Sequence, residues 1–224
     1  MTSPPVVYLE NSRLSYPVPE GEIEVLRGMD LSVEGGEIVA ITGPSGSGKS
    51  SLIAVIGGLE RPTGGKTQVL GVDMAAASER RRTRLRRTQI GVVFQAYHLV
   101  PAMTALQNVE LPLMLAGAPD ARATAVEILE RVGLAHRLTH RPSALSGGEQ
   151  QRVAIARAFA AAPNLVLADE PTGNLDQKTG ETVIDTMLDL TRKSGAAMIL
   201  VTHDPGLAER CDRIVKIDEG RVVD

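Results

Sequence analysis

Gly43-Pro44-Ser45-Gly46-Ser47-Gly48-Lys49-Ser50 lies between an apolar run, Glu37–Thr42, and a segment with helical spacing, Lys49–Gly58. It fits G-x-x-x-x-G-K-[ST], and strand, loop, helix is the setting that pattern requires. Glycines let backbone N–H groups turn inward around a phosphate with no Cβ in the way. The helix beginning near Lys49 adds the positive end of its dipole. Lys49 supplies a full charge toward the β- and γ-phosphates, and the Ser50 hydroxyl is placed to coordinate Mg²⁺. The first expectation is therefore an α/β chain that grips a nucleoside triphosphate.

Outward from this loop, short apolar runs alternate with helical patterns, as in an α/β sheet. Val6–Glu10 and Glu22–Leu26 read as strands before the loop, and Ile90–Phe94 as one after it. From about 96 to 161 the pattern is helical, with apolar spacings of three and four over Thr104–Ala116 and Ala121–Val132. This stretch is expected to be a helical lobe set into the α/β core. Strands return at Leu165–Ala168, Met198–Thr202 and Arg213–Ile217, with a helix over Gln177–Lys193 and a possible edge strand at Arg221–Val223.

Composition narrows the class. The chain has 224 residues, 43% hydrophobic and 23% charged, enough to bury a sizeable core. Aromatics are 2%, so Leu, Val, Ile and Ala must fill that core. No apolar run reaches the roughly 18–20 residues of a membrane span. Residues 1–5 lack a secretory pattern, and the single cysteine, Cys211, allows no internal disulfide. Both point to the cytosol. A net charge of −3 argues against a general nucleic-acid binder. The local exception is Glu79–Arg87, with arginines at 80, 81, 82, 84, 86 and 87. It reads as a solvated helical surface or as a contact for anionic headgroups or an acidic face.

Leu165–Ala168 ends in Asp169-Glu170, carboxylates at the strand end where open α/β sheets bind ligands. Strand alternation sends these side chains apart. Asp169 is expected to hold the Mg²⁺ shell through water, and Glu170 to orient and help deprotonate an attacking water.

Leu145-Ser146-Gly147-Gly148-Glu149-Gln150-Gln151-Arg152 precedes a helical run, Val153–Ala161. Ser146 is a good N-cap, and the glycines leave the helix start open to an anion. A second phosphate-reading helix end in one chain needs an explanation. Here the sequence resembles the ABC ATPase family, whose signature is LSGGQ or a close variant, with Glu149 standing where Gln is commonest. The resemblance implies a P-loop NTPase with a RecA-like core (about 1–95 and 162–224), an antiparallel β edge and an inserted helical subdomain (about 96–161). It implies that two such subunits pair head to tail with ATP, the signature of one (Ser146, Gly147, Gly148, Glu149) closing on the γ-phosphate held by the other.

Further positions follow from the resemblance alone. Tyr16 matches the aromatic that stacks on adenine, and Gly43, Ser45, Gly46, Gly48, Lys49, Ser50 and Ser51 the ATP-binding loop. Gln95 matches the glutamine that touches Mg²⁺ and senses the helical lobe. Asp176, in Gly173-Asn174-Leu175-Asp176, matches the loop that crosses the dimer interface, and His203 the γ-phosphate histidine. Lys49, Gln95, Glu170 and His203 form the implied catalytic set. His98, His136 and His140 are expected at the surface or in packing, and Cys211 in the core.

The segments Phe94–Pro101, Thr104–Val109 with Leu111-Pro112-Leu113, His140–Pro142 and Ala168–Asp176 look like the lipoprotein-releasing and macrolide-export subgroup. That implies an ATPase that powers an integral membrane permease subunit from the inner face of the cell membrane. Its docking groove is expected near Tyr97–Pro101. A cell-division-type regulatory ATPase and a soluble ATPase acting on ribosomes or DNA are the alternatives.

Overall fold

The computed structural model describes residues 4–19 and 21–223. Of the stretch read for a secretory signal, residues 1–3 lie outside the described residues. The chain divides into two compact units, 1–86 with 196–224, and 87–195.

The first unit opens with a long antiparallel pair, β1 (Val7–Val18) and β2 (Gly21–Val33), joined in register from Val7↔Val33 to Val18↔Gly21. Both strands run well past the short strands expected at Val6–Glu10 and Glu22–Leu26. The reason is a bulge: the register shifts between Leu9 and Ser12, with Asn11 at φ 48°. Buried positions change phase there, from Val7 and Leu9 to Ser12 and Leu14. A period-2 pattern read from sequence breaks at such a shift. The strand β3 (Ile38–Thr42) then leads through the glycine loop into α1 (Lys49–Ile56). A hairpin follows, β4 (Gly64–Val69) and β5 (Val72–Asp73), and β4 pairs antiparallel with β1. Its turn places Leu70 at φ 51° and Gly71 at φ 73°, the left-handed pair that matches hairpin twist. The helix α2 (Glu79–Thr88) comes next.

The second unit starts with β6 (Ile90–Phe94), followed by α3 (Ala105–Ala116), α4 (Ala121–Arg131) and α5 (Gly147–Phe159). Between β6 and β7 (Leu165–Asp169), regular structure among the described residues is helical throughout. The α3 start is fixed by a capping box between Thr104 and Gln107, and its end by Gly117 at φ 77°. β7 pairs parallel with β6, Ile90↔Leu165 through Phe94↔Asp169. The unit closes with α6 (Gln177–Ser194), whose buried face is Val183, Ile184, Met187, Leu188, Leu190 and Thr191.

The chain then returns to the first unit. β8 (Ala197–Val201) pairs parallel with β3, and α7 (Pro205–Ala208) leads to β9 (Arg213–Asp218), which pairs parallel with β3 on its other side. β10 (Arg221–Val223) forms a hairpin with β9. Ile38, Val39, Ala40 and Ile41 of β3 are all fully buried, as in a parallel strand covered on both faces. Cys211, expected in the core, is only half-buried, its thiol directed at the Leu207 carbonyl.

Candidate functional site

The phosphate-loop residues lie in the first unit. Gly43, Gly46 and Gly48 have φ of 146°, 79° and 101°. A Cβ at Gly43 would collide with the Ile217 carbonyl of β9, so only glycine lets the chain leave β3 here. Among the described residues, the N–H groups of Ser45, Gly46, Gly48, Lys49 and Ser50 have no hydrogen-bond partner. The N-cap of α1 is Gly48, which provides no side-chain cap. A helix start left bare in this way is a ready anion site.

Lys49 strengthens that reading. The residue is 9% exposed, and its ammonium donates to the carbonyls of Gly43 (2.9 Å) and Pro44 (2.7 Å). No carboxylate pairs with it among the described residues. A buried cation without a counter-charge is costly unless an anion joins it. The Ser47 Oγ is likewise buried with no partner. Free N–H groups, an unbalanced ammonium and an orphaned hydroxyl converge on one loop, which suits a polyphosphate. Ser45 and Ser50 are exposed there, and Ser51 is half-buried.

His203 follows β8, and the register Ile41↔Val201 puts it at the end of the sheet where the loop leaves β3. It is exposed, beside Asp204, whose carboxylate caps α7 through Gly206 (2.9 Å) and Leu207 (3.3 Å). Tyr16 lies on β1, 38% exposed, directly opposite Ile23, which is 55% exposed. Cross-strand partners share a face. Ile23 thus extends the flat apolar surface of the tyrosine, a partner sequence reading missed because β2 was expected to be so short.

A separate group of expected residues lies in the second unit. Because Phe94 pairs with Asp169, Gln95 and Glu170 leave neighbouring strands at the same end. Glu170 has φ 44°, a conformation that non-glycine residues adopt at a cost and that clusters at functional sites. The chain then turns, with the Gly173 N–H donating to the Glu170 carbonyl (3.1 Å). Gln95 packs on this turn: its side-chain amide donates to Asn174 Oδ1 (3.4 Å), and Asn174 Nδ2 donates to the Gln95 carbonyl (3.1 Å). A Cβ at Gly173 would sit 2.6 Å from Gln95 Nε2. Asp176 is exposed and serves as N-cap of α6, accepting from the Thr179 N–H (3.1 Å). Hydrogen bonding from the Thr179 side chain, and then from its N–H, holds the Asp176 carboxyl below the ordinary carboxylate value.

The signature segment builds the start of α5. Ser146 is the N-cap, its Oγ accepting from the Glu149 N–H (3.3 Å) while the Glu149 carboxylate accepts from the Ser146 N–H (2.8 Å). The other Glu149 oxygen accepts from Arg137 Nε (2.7 Å). The Ser146 N–H and then Arg137 hold the Glu149 carboxyl down at about 2. Both oxygens of Glu149 are therefore engaged within the chain. The N–H groups of Gly147 and Gly148 and the hydroxyl proton of Ser146 are what this helix start has left to offer. A Cβ on Gly148 would strike the Thr179 methyl, and one on Gly147 would lie 3.0 Å from the Tyr97 hydroxyl.

The remaining expectations fall away from this machinery. His98 and His136 are exposed, His98 edge-on to Phe94. His140 is half-buried beside Arg137. In α2, Arg82 and Arg86 are clamps rather than free surface charge. Both bind the Glu79 carboxylate (2.6 and 2.9 Å), Arg82 also reaches the Met74 and Ala77 carbonyls, and Arg86 the Gly58 carbonyl. Arg80, Arg81, Arg84 and Arg87 are exposed. No group of three or more His, Cys, Asp or Glu able to hold a metal occurs among the described residues. No helix among them is long and apolar enough to cross a membrane.

The family described as ABC transporter matches residues 26–173, from β2 through the signature to the turn after Glu170. The chain belongs to the ABC transporter ATP-binding family. This ABC subunit is similar to the lipoprotein-releasing system ATP-binding protein LolD of Paramagnetospirillum magneticum, 50% identical over 218 residues and 96% of each chain. It is 52% identical over 203 residues to LolD 1 of Rhodospirillum rubrum, covering 90% of each. An uncharacterized ABC transporter ATP-binding protein of Mycobacterium tuberculosis is 48% identical over 227 residues, covering 100% of this chain and 91% of its own. Among solved structures, the ATP-binding cassette MJ0796, dimeric in a post-hydrolysis state bound to ADP and Pi, superposes with a TM-score of 0.89. It is 40% identical and covers 97% of each chain. The ABC subunit described here binds and hydrolyses ATP, and its α/β fold is that of the ABC cassette.

Proposed function

We propose that this ABC subunit drives a lipoprotein-release or macrolide- and peptide-export type of transporter, working as an ATP-dependent homodimer on the inner face of the membrane. The observation that carries the reading is the pair of anion-ready helix starts in one chain, α1 and α5. One triphosphate needs only the first. The second is accounted for if it meets the nucleotide of another copy.

In this reading Gly43–Ser50 holds the triphosphate, with Ser51 beside it, Lys49 balances the β- and γ-phosphates, and Tyr16 stacks on adenine with Ile23 alongside. Ser50, Gln95 and Asp169 (through water) would hold Mg²⁺, which supplies charge neutralisation at the phosphates. Magnesium is bound by few protein groups with substrate phosphates completing its shell, which suits this sparse donor set. Glu170 orients the water and takes its proton, and His203 contacts the γ-phosphate. The partner's Ser146, Gly147 and Gly148 close the cage, and Asp176 lies at the interface. Hydrolysis splits the bridging triphosphate, and the pair separates. The core over about 1–95 and 162–224 carries the nucleotide, and the lobe over about 96–161 passes the motion, through Gln95 and the Tyr97–Pro101 turn, to an integral membrane permease. No nucleic acid takes part.

Glu170→Gln tests this. With ATP and Mg²⁺ the variant should form a stable dimer in sedimentation experiments, with turnover reduced about 10²–10³-fold or more. A monomer that hydrolyses ATP at the original rate overturns the reading. Purified from membranes, the variant should bring an integral membrane protein with it; ribosomes or DNA in its place would favour a soluble ABC ATPase.

A further inference from the structure

Arg157 lies outside the residues proposed to hold the nucleotide, and its surroundings are unusual. It lies in the last turn of α5, and no carboxylate pairs with it among the described residues. Its guanidinium is spent on backbone: Nη2 donates to the Tyr97 carbonyl (2.8 Å) and Nη1 to the His98 carbonyl (2.5 Å). Those two residues are consecutive non-glycine positions at φ 57° and 48°. Left-handed backbone at a tyrosine and a histidine persists only where the surroundings enforce it. A planar fork that meets adjacent carbonyls is suited to that task, and a point charge is not.

The same helix touches the same segment along its length. Toward the C-terminal end, a Cβ on Gly91 would collide with the Ala158 carbonyl. In the middle, buried Gln151 donates through Nε2 to the Phe94 (3.4 Å) and Pro171 (2.5 Å) carbonyls. At the N-terminal end, Gly147 leaves room for the Tyr97 hydroxyl. Tyr97 is thus held from both ends of α5: its carbonyl by Arg157 and its hydroxyl beside the signature.

We infer that Arg157 is a positioning residue, which locks the Tyr97–His98 turn to α5 so that displacement of that turn by a docked partner shifts Ser146, Gly147 and Gly148. The inference rests on the reading that the signature closes on a second copy's ATP. It adds the device by which the docking turn and the signature move as one.

The test uses the Glu170→Gln chain, measuring ATP-dependent dimerisation by sedimentation equilibrium and ATP affinity of the dilute monomer by equilibrium dialysis. Arg157→Lys keeps the charge and loses the fork. Charge-assisted hydrogen bonds of this kind are worth about one decade in affinity or more, so the dimer should weaken about tenfold. ATP affinity of the monomer should stay within about twofold, because the phosphate loop is on other elements. Tyr97→Gly, which relaxes the turn and removes the hydroxyl with Arg157 intact, should weaken the dimer in the same sense. It decides the matter if Arg157→Lys does not fold. Unchanged dimerisation in the folded variants, or equal losses in dimerisation and monomer affinity, overturns the inference. Failure of Glu170→Gln itself to dimerise overturns the underlying function as well, and is seen before Arg157 is altered.

Discussion

The starts of α1 and α5 are built from the same materials, serine, glycine and a following helix, and finished in opposite ways. α1 begins at Gly48 with no side-chain cap, bare N–H groups and a buried Lys49 that lacks a carboxylate. α5 begins with a complete capping box, and its nearest acid, Glu149, is paired with Arg137. A bare start whose buried ammonium rests on two carbonyls gains its counter-charge only when an anion arrives. A capped start is stable without one, and keeps just the Gly147 and Gly148 N–H groups and one hydroxyl proton for a visitor. The difference separates a start that calls for an anion from one that is stable without it, which is what the proposed roles of a resident and an occasional site require.

The largest expected effect breaks the resident side. Lys49→Met should reduce turnover about 10²–10³-fold, in line with losing a preorganised charge at the reacting group. Thermal melting without nucleotide should show little loss of stability, because the removed ammonium is buried without a counter-ion. A large fall in melting temperature would mean that Lys49 is a structural post, and the contrast with α5 would fail.

A smaller effect sharpens the occasional side. Gly148→Ala forces a methyl against Thr179 Cγ2, an overpacking that costs about 1–3 kcal/mol. ATP-driven dimerisation should weaken by roughly an order of magnitude, and Thr179→Ser, which deletes that methyl, should restore much of it. If the double variant stays as weak as the single one, crowding at Thr179 is not the cause.

The smallest effect concerns the cap itself. The Glu149 carboxyl is held at about 2 against an ordinary 4.5, by the Ser146 N–H first and Arg137 with it. A depressed carboxyl stabilises the fold above its ordinary value, and that contribution is lost as pH falls from about 4.5 toward 2. Glu149→Gln keeps an acceptor for the cap and gives up the charge. Its melting temperature should lie below that of the parent at neutral pH, by an amount equivalent to about 1 kcal/mol. The gap should narrow steadily between pH 5 and 3. A gap independent of pH would show that shape, and not charge, sets this helix start.

Much of this was legible because the chemistry is local. The phosphate loop, the Asp169-Glu170 strand end and the signature are each contiguous, and each element carries its own period and punctuation. What stayed hidden depends on distant partners. The β4–β5 hairpin has few apolar residues, Val69 and Val72 among glycines and polar groups, and exists as strand because β1 offers an edge. The length of β1 was masked by the bulge at Asn11, which reverses which residues face inward. Gln95 and Asn174 touch across 79 residues, and Arg157 reaches Tyr97 across 60. An arginine in an alanine-rich helix looks like solvated surface until the carbonyls it serves are seen.

The hairpin of β9 and β10 has one more consequence. The Ile217 carbonyl blocks any side chain at Gly43, and the Gly220 N–H donates to the Ser47 carbonyl (3.0 Å). The Gly43–Ser50 loop is thus backed by strands that the ribosome makes long after the loop itself. A nascent chain that has emitted Gly43–Ser50 but not yet Ile217 and Gly220 lacks this backing. If this loop holds the nucleotide as proposed, capture would have to wait until the last strands of the chain are made.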